Sequence, residues 1–149
     1  MTPRISVVIP AYEEGDLILP VLDRIFEAVT LPVEVSVVVD SENDSTIFPV
    51  TQRAKECPQL RSVVNTYGRG PGHAIRFGMD NASAPVTVVT MADGSDDPMQ
   101  INDLSRLIER GVVVAAASRY MRTGQQVGGP VFKSLLSSFA CRSLYWFGR

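Results

Sequence analysis

The sequence is poor in the residues that build the commonest metal and redox sites. Its 149 residues include two cysteines, one tryptophan and one histidine. Cys57 and Cys141 lack CxxC spacing, which predicts reduced thiols in a cytosolic protein and no zinc site. Nothing in the sequence pairs His73 with a nucleophile, so a histidine-based catalytic dyad is not indicated.

Basic runs and long apolar runs are also missing. Lys and Arg number 14 against 16 Asp and Glu, the formal net charge is −2 and the pI is about 5.4. This balance argues against nucleic acid as a partner. No apolar run approaches the length of a membrane span, and the opening MTPRISVVIPAYEE predicts neither a signal peptide nor an anchor. We therefore expect a cytoplasmic protein.

Short valine-rich runs recur along the chain and are mostly continuous, as in strands that are covered on both faces. They are ISVVIPA (5–11), VEVSVVV (33–39), LRSVVN (60–65), PVTVVTMA (85–92) and VVVAAAS (112–118). Segments with helical spacing separate them. These segments include residues 17–28, 46–56, 100–110 and 130–147. The apolar face of 17–28 consists of Leu17, Val21, Ile25 and Ala28, and that of 100–110 consists of Ile101, Leu104, Leu107 and Ile108. The alternation predicts one domain, residues 1–149, with a mainly parallel sheet in a three-layer α/β/α fold.

Ligands of such folds bind at the carboxyl ends of the strands, and the fourth strand ends in the acidic stretch TMADGSDDP, residues 90–98. Asp93 comes where the strand ends, so we expect its carboxylate in a cleft. Hard cations such as Mg²⁺ and Mn²⁺ prefer oxygen ligands, and Ser95 would add a ligand or hold a water. Asp96 and Asp97 precede Pro98, a pattern that is also typical of a helix start.

Three other strand ends offer weaker signals. Asp40 would accept hydrogen bonds from a ribose or base, or act as a helix N-cap or turn carboxylate. The segment GRGPG (68–72) lacks the Walker A ending; Arg69 would pair with a phosphate, or the glycines serve turn chemistry alone. Arg119 suits a phosphate clamp. Lys133 and Ser137, four residues apart on a predicted helix, would meet one anion together or decorate the surface.

Together these motifs resemble family 2 glycosyltransferases of the GT-A fold, and above all their polyprenyl-phosphate (dolichyl-phosphate mannose synthase-like) branch. SVVIPAYEE is similar to the family's VVIPAYNE, VVVDSENDST to VVDDGSxDGT, and GRGPGHAIRFGMDNA to GKGxAxxxGxxxA. VVTMADGSDDP occupies the place of the DxD stretch, and AASRYMRTG is similar to GSRYxxGG. The resemblance covers roughly residues 4–147. Relatives usually extend further, which predicts a shortened chain.

The resemblance implies a GDP- or UDP-linked sugar as donor and a lipid phosphate as acceptor. The residues implied to contact the nucleotide sugar are Pro10, Ala11, Tyr12, Glu14, Asp40, Arg69, Gly70, Ala92 and Asp93. Asp93 and Ser95 would hold Mg²⁺ or Mn²⁺, with Asp93, Asp96, Asp97 and Arg119 as the catalytic set. Arg119, Lys133 and Ser137 would engage the acceptor phosphate. The helix within 130–149 would either lie at the cytoplasmic membrane face or pack as a core helix.

Three positions depart from the family pattern. Met91 replaces the first carboxylate of DxD, Ser41 replaces an aspartate, and Glu13 stands where asparagine is usual. A thioether is a poor ligand for a hard cation, so the metal would rest on Asp93, Ser95 or water, and the substrate phosphates. We predict an inverting sugar transfer. Two alternatives are a nucleotidyltransferase and a non-catalytic nucleotide-sugar-binding module.

Overall fold

The computed structural model describes residues 2–118, and the residues up to Ala115 form one compact unit. Within residues 2–118 four strands alternate with four α-helices, and a short 3₁₀ turn, Gly15–Leu17, precedes the first helix. The strands are β1 (Ile5–Pro10), β2 (Val33–Val39), β3 (Leu60–Val64) and β4 (Val86–Val89). The helices are α1 (Ile18–Ala28), α2 (Ile47–Ala54), α3 (Pro71–Asp80) and α4 (Gln100–Glu109).

All pairings between the described strands are parallel, in the order β3-β2-β1-β4. Ile5 at the start of β1 pairs with Val33 on one side and with Val86 on the other. The chain thus builds outward from β1 through β2 to β3, and then returns to add β4 on the opposite side of β1. Such a reversal leaves a crevice outside the carboxyl ends of the two strands that flank it. In this sheet those strands are β1 and β4.

Helices cover both faces of the sheet. On one face Ile9 belongs to a buried cluster with Leu22 of α1, Val50 of α2 and Ile101 of α4. On the other face Val8 and Val38 pack with Ala74 of α3. Every residue of β1 is buried, which explains why its sequence is apolar, apart from Ser6, rather than alternating. The predicted three-layer α/β/α fold with a parallel sheet is therefore confirmed.

Helix α3 approaches the sheet most closely at Gly78. A Cβ atom at this position would overlap Cγ1 of Val8 and lie 3.1 Å from Cγ2 of Val38. Because a helix with a side chain here would have to stand further from the strands, the absence of a Cβ sets the distance between α3 and the sheet.

A polar network fixes the connection from α3 to β4. The buried Ser6 hydroxyl donates to the Glu34 carboxylate, and the backbone N–H of Ala84 donates to the Ser6 oxygen at 3.0 Å. Glu34 also accepts from the N–H of Ser83 at 2.9 Å. Partial burial alone raises the pKa of Glu34. The hydrogen bonds from Ser6 and Ser83, with the charge of Arg61, outweigh burial and hold that pKa below its ordinary value of 4.5.

We predict that Glu34→Gln destabilises the protein at neutral pH and that this effect shrinks in acid. A carboxylate whose pKa is lowered by folding contributes fully to stability at pH values above its ordinary pKa. That contribution is lost as the pH falls through the lower pKa of the folded state. Urea unfolding of both proteins at pH 7 and at pH 4 measures the difference. An equal difference at the two pH values would show that the charge on Glu34 has no part in stability.

The predicted fifth strand at 112–118 is wrong, because none of these residues is in a strand. The chain leaves α4 through Gly111, and the N–H of Val112 bonds back to the carbonyl of Leu107 at 3.2 Å. Val113 and Val114 are strongly exposed. A valine-rich run forms a strand only where a neighbouring strand supplies hydrogen bonds, and within the described residues none pairs with this segment.

The predicted helical faces were partly wrong. In α1 the buried residues are Ile18, Leu22 and Ile25, whereas Leu17 is 74% exposed. Asp16 lies inside the 3₁₀ turn that precedes the helix and makes no capping bond. In α4 the chain buries Ile101 with the polar residues Asn102 and Ser105 and leaves Leu107 exposed. The Asn102 amide donates to the carbonyl of Ala28 and accepts from the N–H of Thr30, so it ties α4 to the end of α1.

Candidate functional site

An open cleft of about 400 Å³ lies where the loops after β1 and β4 meet helix α1. Its lining residues are Glu14, Leu17, Pro20, Val21, Arg24, Ala92, Asp93 and Gly94. Glu14, Ala92 and Asp93 were among the predicted site residues, and the structure brings them together. The location agrees with the crevice that the strand order requires.

The loop after β1 is held by two buried residues of the loop after β2. Asp44 accepts the N–H of Glu13 at 3.1 Å and the N–H of Thr46 at 2.8 Å. The Thr46 hydroxyl accepts the N–H of Glu14 at 3.0 Å. Glu13 has a φ of +54°, a conformation that non-glycine residues adopt only when their surroundings impose it. Asp44 and Thr46 therefore fix the backbone that presents Glu14 to the cleft.

The other predicted residues of the first loop are spread around this backbone. Pro10 ends β1, Ala11 is buried, and Tyr12 is exposed. The N–H of Ala11 donates to the carbonyl of Val38 at 2.9 Å, which continues the alignment of β1 with β2 beyond the strand. The loop thus leaves the sheet only after Ala11, and Tyr12 is the first of its side chains that solvent reaches.

Asp40 serves as a turn carboxylate in this structure. One oxygen accepts the side-chain amide of Asn65 at 2.9 Å, and the other accepts the N–H of Gly70 at 2.6 Å. These bonds tie the loop after β3 to the end of β2. Arg69, beside Gly70, is exposed. The structure therefore brings Asp40 and Gly70 into contact, and the role of Asp40 toward a nucleoside stays a prediction.

Asp93 begins a tight turn that we call the acidic turn, residues 93–96. Its carboxylate accepts the N–H of Ser95 at 3.0 Å, and Gly94 has a φ of +67°, a conformation that favours glycine. Hydrogen bonds from the backbone N–H and the hydroxyl of Ser95 lower the pKa of Asp93, and its slight burial opposes them only weakly. Asp93 is exposed and ionised at neutral pH.

The two aspartates that follow have separate structural tasks. Asp96 accepts the hydroxyl of Thr90 at 3.0 Å and the N–H of Met91 at 3.1 Å, so its carboxylate closes the acidic turn against the end of β4. Asp97 accepts the N–H of Met99 at 3.1 Å, just before α4 begins at Gln100. The bond of Asp97 agrees with the helix-start interpretation. Their part in catalysis stays a prediction.

Sequence reasoning missed Arg24. Its guanidinium donates from Nη1 to the carbonyl of Gly94 at 2.9 Å and from Nη2 to that of Asp96 at 3.5 Å. The signal was present in the helical spacing. Val21 and Arg24 lie three residues apart on one face of α1, and Leu17 precedes Val21 by four residues at the end of the 3₁₀ turn. All three side chains line the cleft beside Gly94 of the acidic turn.

The part of the chain that the structure describes contains no group of three His, Cys, Asp or Glu side chains able to hold a metal ion. Among these residues the cleft offers the carboxylates of Glu14 and Asp93, oxygen donors of the kind that hard cations prefer. Arg119, Lys133, Ser137 and the segment 130–149 lie outside the described residues. Within residues 2–118, no helix has the length and apolarity that crossing a membrane requires.

The sequence matches one family model along most of its length. The model, described as glycosyl transferase family 2, covers residues 6–137. The chain belongs to glycosyl transferase family 2. A curated relative is the dolichol-phosphate mannosyltransferase of Pyrococcus furiosus, 30% identical over 92% of this chain and 39% of the relative. Another is a dolichyl-phosphate beta-glucosyltransferase of Trichomonas vaginalis, 29% identical over 70% of this chain and 33% of the relative.

Solved structures of similar proteins share the fold. A mannosyltransferase from Pyrobaculum calidifontis, in complex with GDP-Man and Mn²⁺, is 34% identical with a TM-score of 0.52 over 62% of this chain and 28% of its own. Glucosyl-3-phosphoglycerate synthase from Mycobacterium tuberculosis, in complex with UDP, is 25% identical with a TM-score of 0.56 over 73% of this chain and 41% of its own. This family 2 chain spans about two fifths or less of the length of these relatives.

Proposed function

We propose that this family 2 chain binds a nucleotide-diphosphate sugar in the cleft between β1 and β4 and transfers the sugar, with inversion, to a polyprenyl phosphate. The observation that carries the proposal is the meeting of Glu14 and Asp93 in one cleft, on loops that follow adjacent parallel strands. An ionised carboxylate with a free approach from solvent at such a crevice suits a cation-bound diphosphate.

The donor would lie along the carboxyl edge of the sheet. Its nucleoside would contact Pro10, Ala11, Tyr12, Glu14 and Asp40, its phosphates would approach Arg69 and Gly70, and the diphosphate would reach Ala92 and Asp93. The nucleotides in the solved relatives, GDP-Man in one and UDP in the other, support a GDP- or UDP-linked donor. The calorimetry described below also decides between a guanine and a uracil nucleotide.

A divalent cation, Mg²⁺ or Mn²⁺, would be held by Asp93 with Ser95 nearby. When bound it would neutralise charge on the leaving diphosphate. The Mn²⁺ in the solved mannosyltransferase supports this choice. The N–H of Ser95 bonds one carboxylate oxygen of Asp93 and lowers the pKa of that carboxyl, so the other oxygen would be available to the cation.

In the proposed reaction an acceptor oxygen attacks the anomeric carbon in line. A new bond from that oxygen to carbon forms as the bond from carbon to the diphosphate oxygen breaks, and the electron pair leaves with the nucleoside diphosphate. A phosphate acceptor is already ionised near neutral pH and needs no general base. The residues of the chain then supply position and charge compensation, with Arg119 beside the phosphates. For a hydroxyl acceptor, Asp96 or Asp97 would be the base.

Binding of the donor tests the proposal directly. Titration calorimetry with UDP and with GDP, each with and without Mn²⁺, should detect binding that requires the metal. If neither nucleotide binds in a metal-dependent way, the transferase proposal fails. Turnover of the matching sugar nucleotide with a polyprenyl phosphate would then separate an enzyme from a non-catalytic binding module. Pyrophosphate release from a nucleoside triphosphate and a sugar phosphate would instead identify a nucleotidyltransferase.

The non-catalytic module is a second candidate because of Met91. This residue lies two positions after β4, where the resemblance to the family implies the first carboxylate of DxD, and its thioether is a weak ligand for a hard cation. Metal-dependent nucleotide binding without sugar transfer would favour this alternative.

Lys133→Ala tests the acceptor half of the proposal. We expect the KM for polyprenyl phosphate to rise roughly tenfold, since one charge-assisted hydrogen bond to the acceptor would be lost. Donor affinity, measured by calorimetry, should stay at the wild-type value. Lys55→Ala removes an exposed lysine of the same charge, whose ammonium bonds only Gln52 at 2.7 Å among the described residues, and is the control. An equal loss of donor and acceptor affinity would reject the acceptor role of Lys133.

A further inference from the structure

Arg24 is the basic side chain among the described residues that line the cleft. Its two hydrogen bonds go to backbone carbonyls, those of Gly94 and Asp96, and not to carboxylates. A guanidinium that bonds two carbonyls two residues apart fixes the path of the main chain between them. Arg24 therefore acts on the backbone of the acidic turn, which begins with Asp93.

The acidic turn is also seated directly on α1. A Cβ atom at Gly94 would lie 3.3 Å from Nη1 of Arg24 and 3.3 Å from Cγ2 of Val21. The cavity between the acidic turn and the helix has a volume of only about 10 Å³. Because of this close fit the acidic turn cannot move nearer to α1, so the bonds from Arg24 hold it at a fixed distance from the helix.

The other end of the acidic turn is closed by Asp96, through the hydroxyl of Thr90 and the N–H of Met91. Asp93 thus lies in a loop that is held at two places, on β4 by the Asp96 side chain and on α1 by Arg24. Without Arg24, the acidic turn would be held only by the bonds of Asp96 at the end of β4. The turn could then rotate about those bonds and move away from the cleft.

We propose that Arg24 is a positioning residue. It holds the acidic turn on α1 through two backbone carbonyls and so sets the Asp93 carboxylate at the cleft. The effect on ligand binding rests on the proposed function, whereas the effect on the acidic turn does not. Arg24 acts through the turn and makes no essential contact with the nucleotide.

Hydrogen exchange of the ligand-free protein tests the tether. The amides of Met91 and Ser95 are bonded to the side chains of Asp96 and Asp93, so they report the integrity of the acidic turn. In Arg24→Met we expect both amides to exchange roughly tenfold faster than in the wild type, as local opening becomes easier. Arg106→Met removes an exposed arginine of α4 that pairs with Asp103 and should leave both rates unchanged. Unchanged exchange in Arg24→Met would overturn the inference.

Nucleotide affinity with and without Mn²⁺ gives the readout that distinguishes positioning from direct contact. Arg24→Met should weaken the metal-dependent affinity for UDP or GDP about tenfold, as does loss of other groups that orient a metal ligand, and leave the metal-free affinity unchanged. Arg24→Lys keeps the charge but not the fork of donors, and we expect its metal-dependent affinity to stay below the wild-type value. An equal loss of metal-free affinity would mean direct nucleotide contact and would overturn the positioning role. Faster exchange with unchanged metal-dependent affinity would overturn it too.

The two proposals fail in different ways. If the wild type shows no metal-dependent nucleotide binding, the proposed function is wrong, and the exchange rates alone decide whether Arg24 holds the turn.

Discussion

Asp93→Asn should remove the metal-dependent part of nucleotide binding while leaving the fold intact. The amide keeps an oxygen that can accept the N–H of Ser95, so the acidic turn retains the bond now measured at 3.0 Å. What is lost is the negative charge that a divalent cation requires of its ligand. Within the described residues no cluster of three ligands compensates for it. We therefore expect the affinity for UDP or GDP in Mn²⁺ to fall about a hundredfold, or nearly 3 kcal/mol.

Calorimetry of wild type and Asp93→Asn, with and without Mn²⁺, measures this loss. Asp103→Asn is the matched control, because it removes an exposed carboxylate from α4 that pairs only with Arg106 among the described residues. The control should bind as the wild type does. Should Asp93→Asn retain full affinity in Mn²⁺, then Asp93 is not a metal ligand, and the candidate site would need another carboxylate.

Gly78→Ala should cost about 3 kcal/mol of the free energy of unfolding, at the upper end of what extra core methyl groups cost. Alanine in a helix interior is ordinarily more stable than glycine by roughly 0.5–1 kcal/mol. At Gly78 the new methyl group would overlap Cγ1 of Val8, which is fully packed in β1, so α3 would be pushed from the sheet. The steric cost is larger than the gain in helix propensity, so the net effect of Gly78→Ala on the free energy of unfolding is destabilising.

Gly72→Ala is the control on the same helix, since a Cβ there meets no atom within 4 Å. This variant should be as stable as the wild type or slightly more stable in urea unfolding. If Gly78→Ala and Gly72→Ala have the same stability, the close approach of α3 to β1 does not limit packing.

The strands were predictable because their burial is uniform. The run 33–39 was predicted with the bounds that β2 has, and Val86–Val89 lies within the predicted 85–92. The segment 112–118 has the same composition but no strand, since composition does not reveal whether a partner strand is within reach. The apolar pattern therefore predicted which segments could form strands, and the presence of a neighbouring strand decided which of them do.

The candidate site was predictable only where the chemistry lies in a local motif. Asp93 and Glu14 follow strands whose carboxyl ends are neighbours, so the rule for parallel sheets brought them together. Arg24 acts through backbone carbonyls, which leave no trace in the sequence of the acidic turn. Leu17 was predicted to belong to the apolar face of the first helix, but helical spacing identifies a face and not what it packs against. Leu17 lies at the cleft instead.

The position of β4 has a consequence for chain entropy. The Ser6 hydroxyl bonds Glu34, which is 28 residues along the chain, and the N–H of Ala84, which is 78 residues along. The entropy lost on closing a loop increases with its length. The pairing of β1 with β4, which places the Asp93 loop at the cleft, is therefore the one that chain entropy opposes most in the described sheet. Hydrogen bonds at Ser6 and Glu34 offset part of that cost far from the acidic turn, so the cleft depends on residues that never touch its ligand.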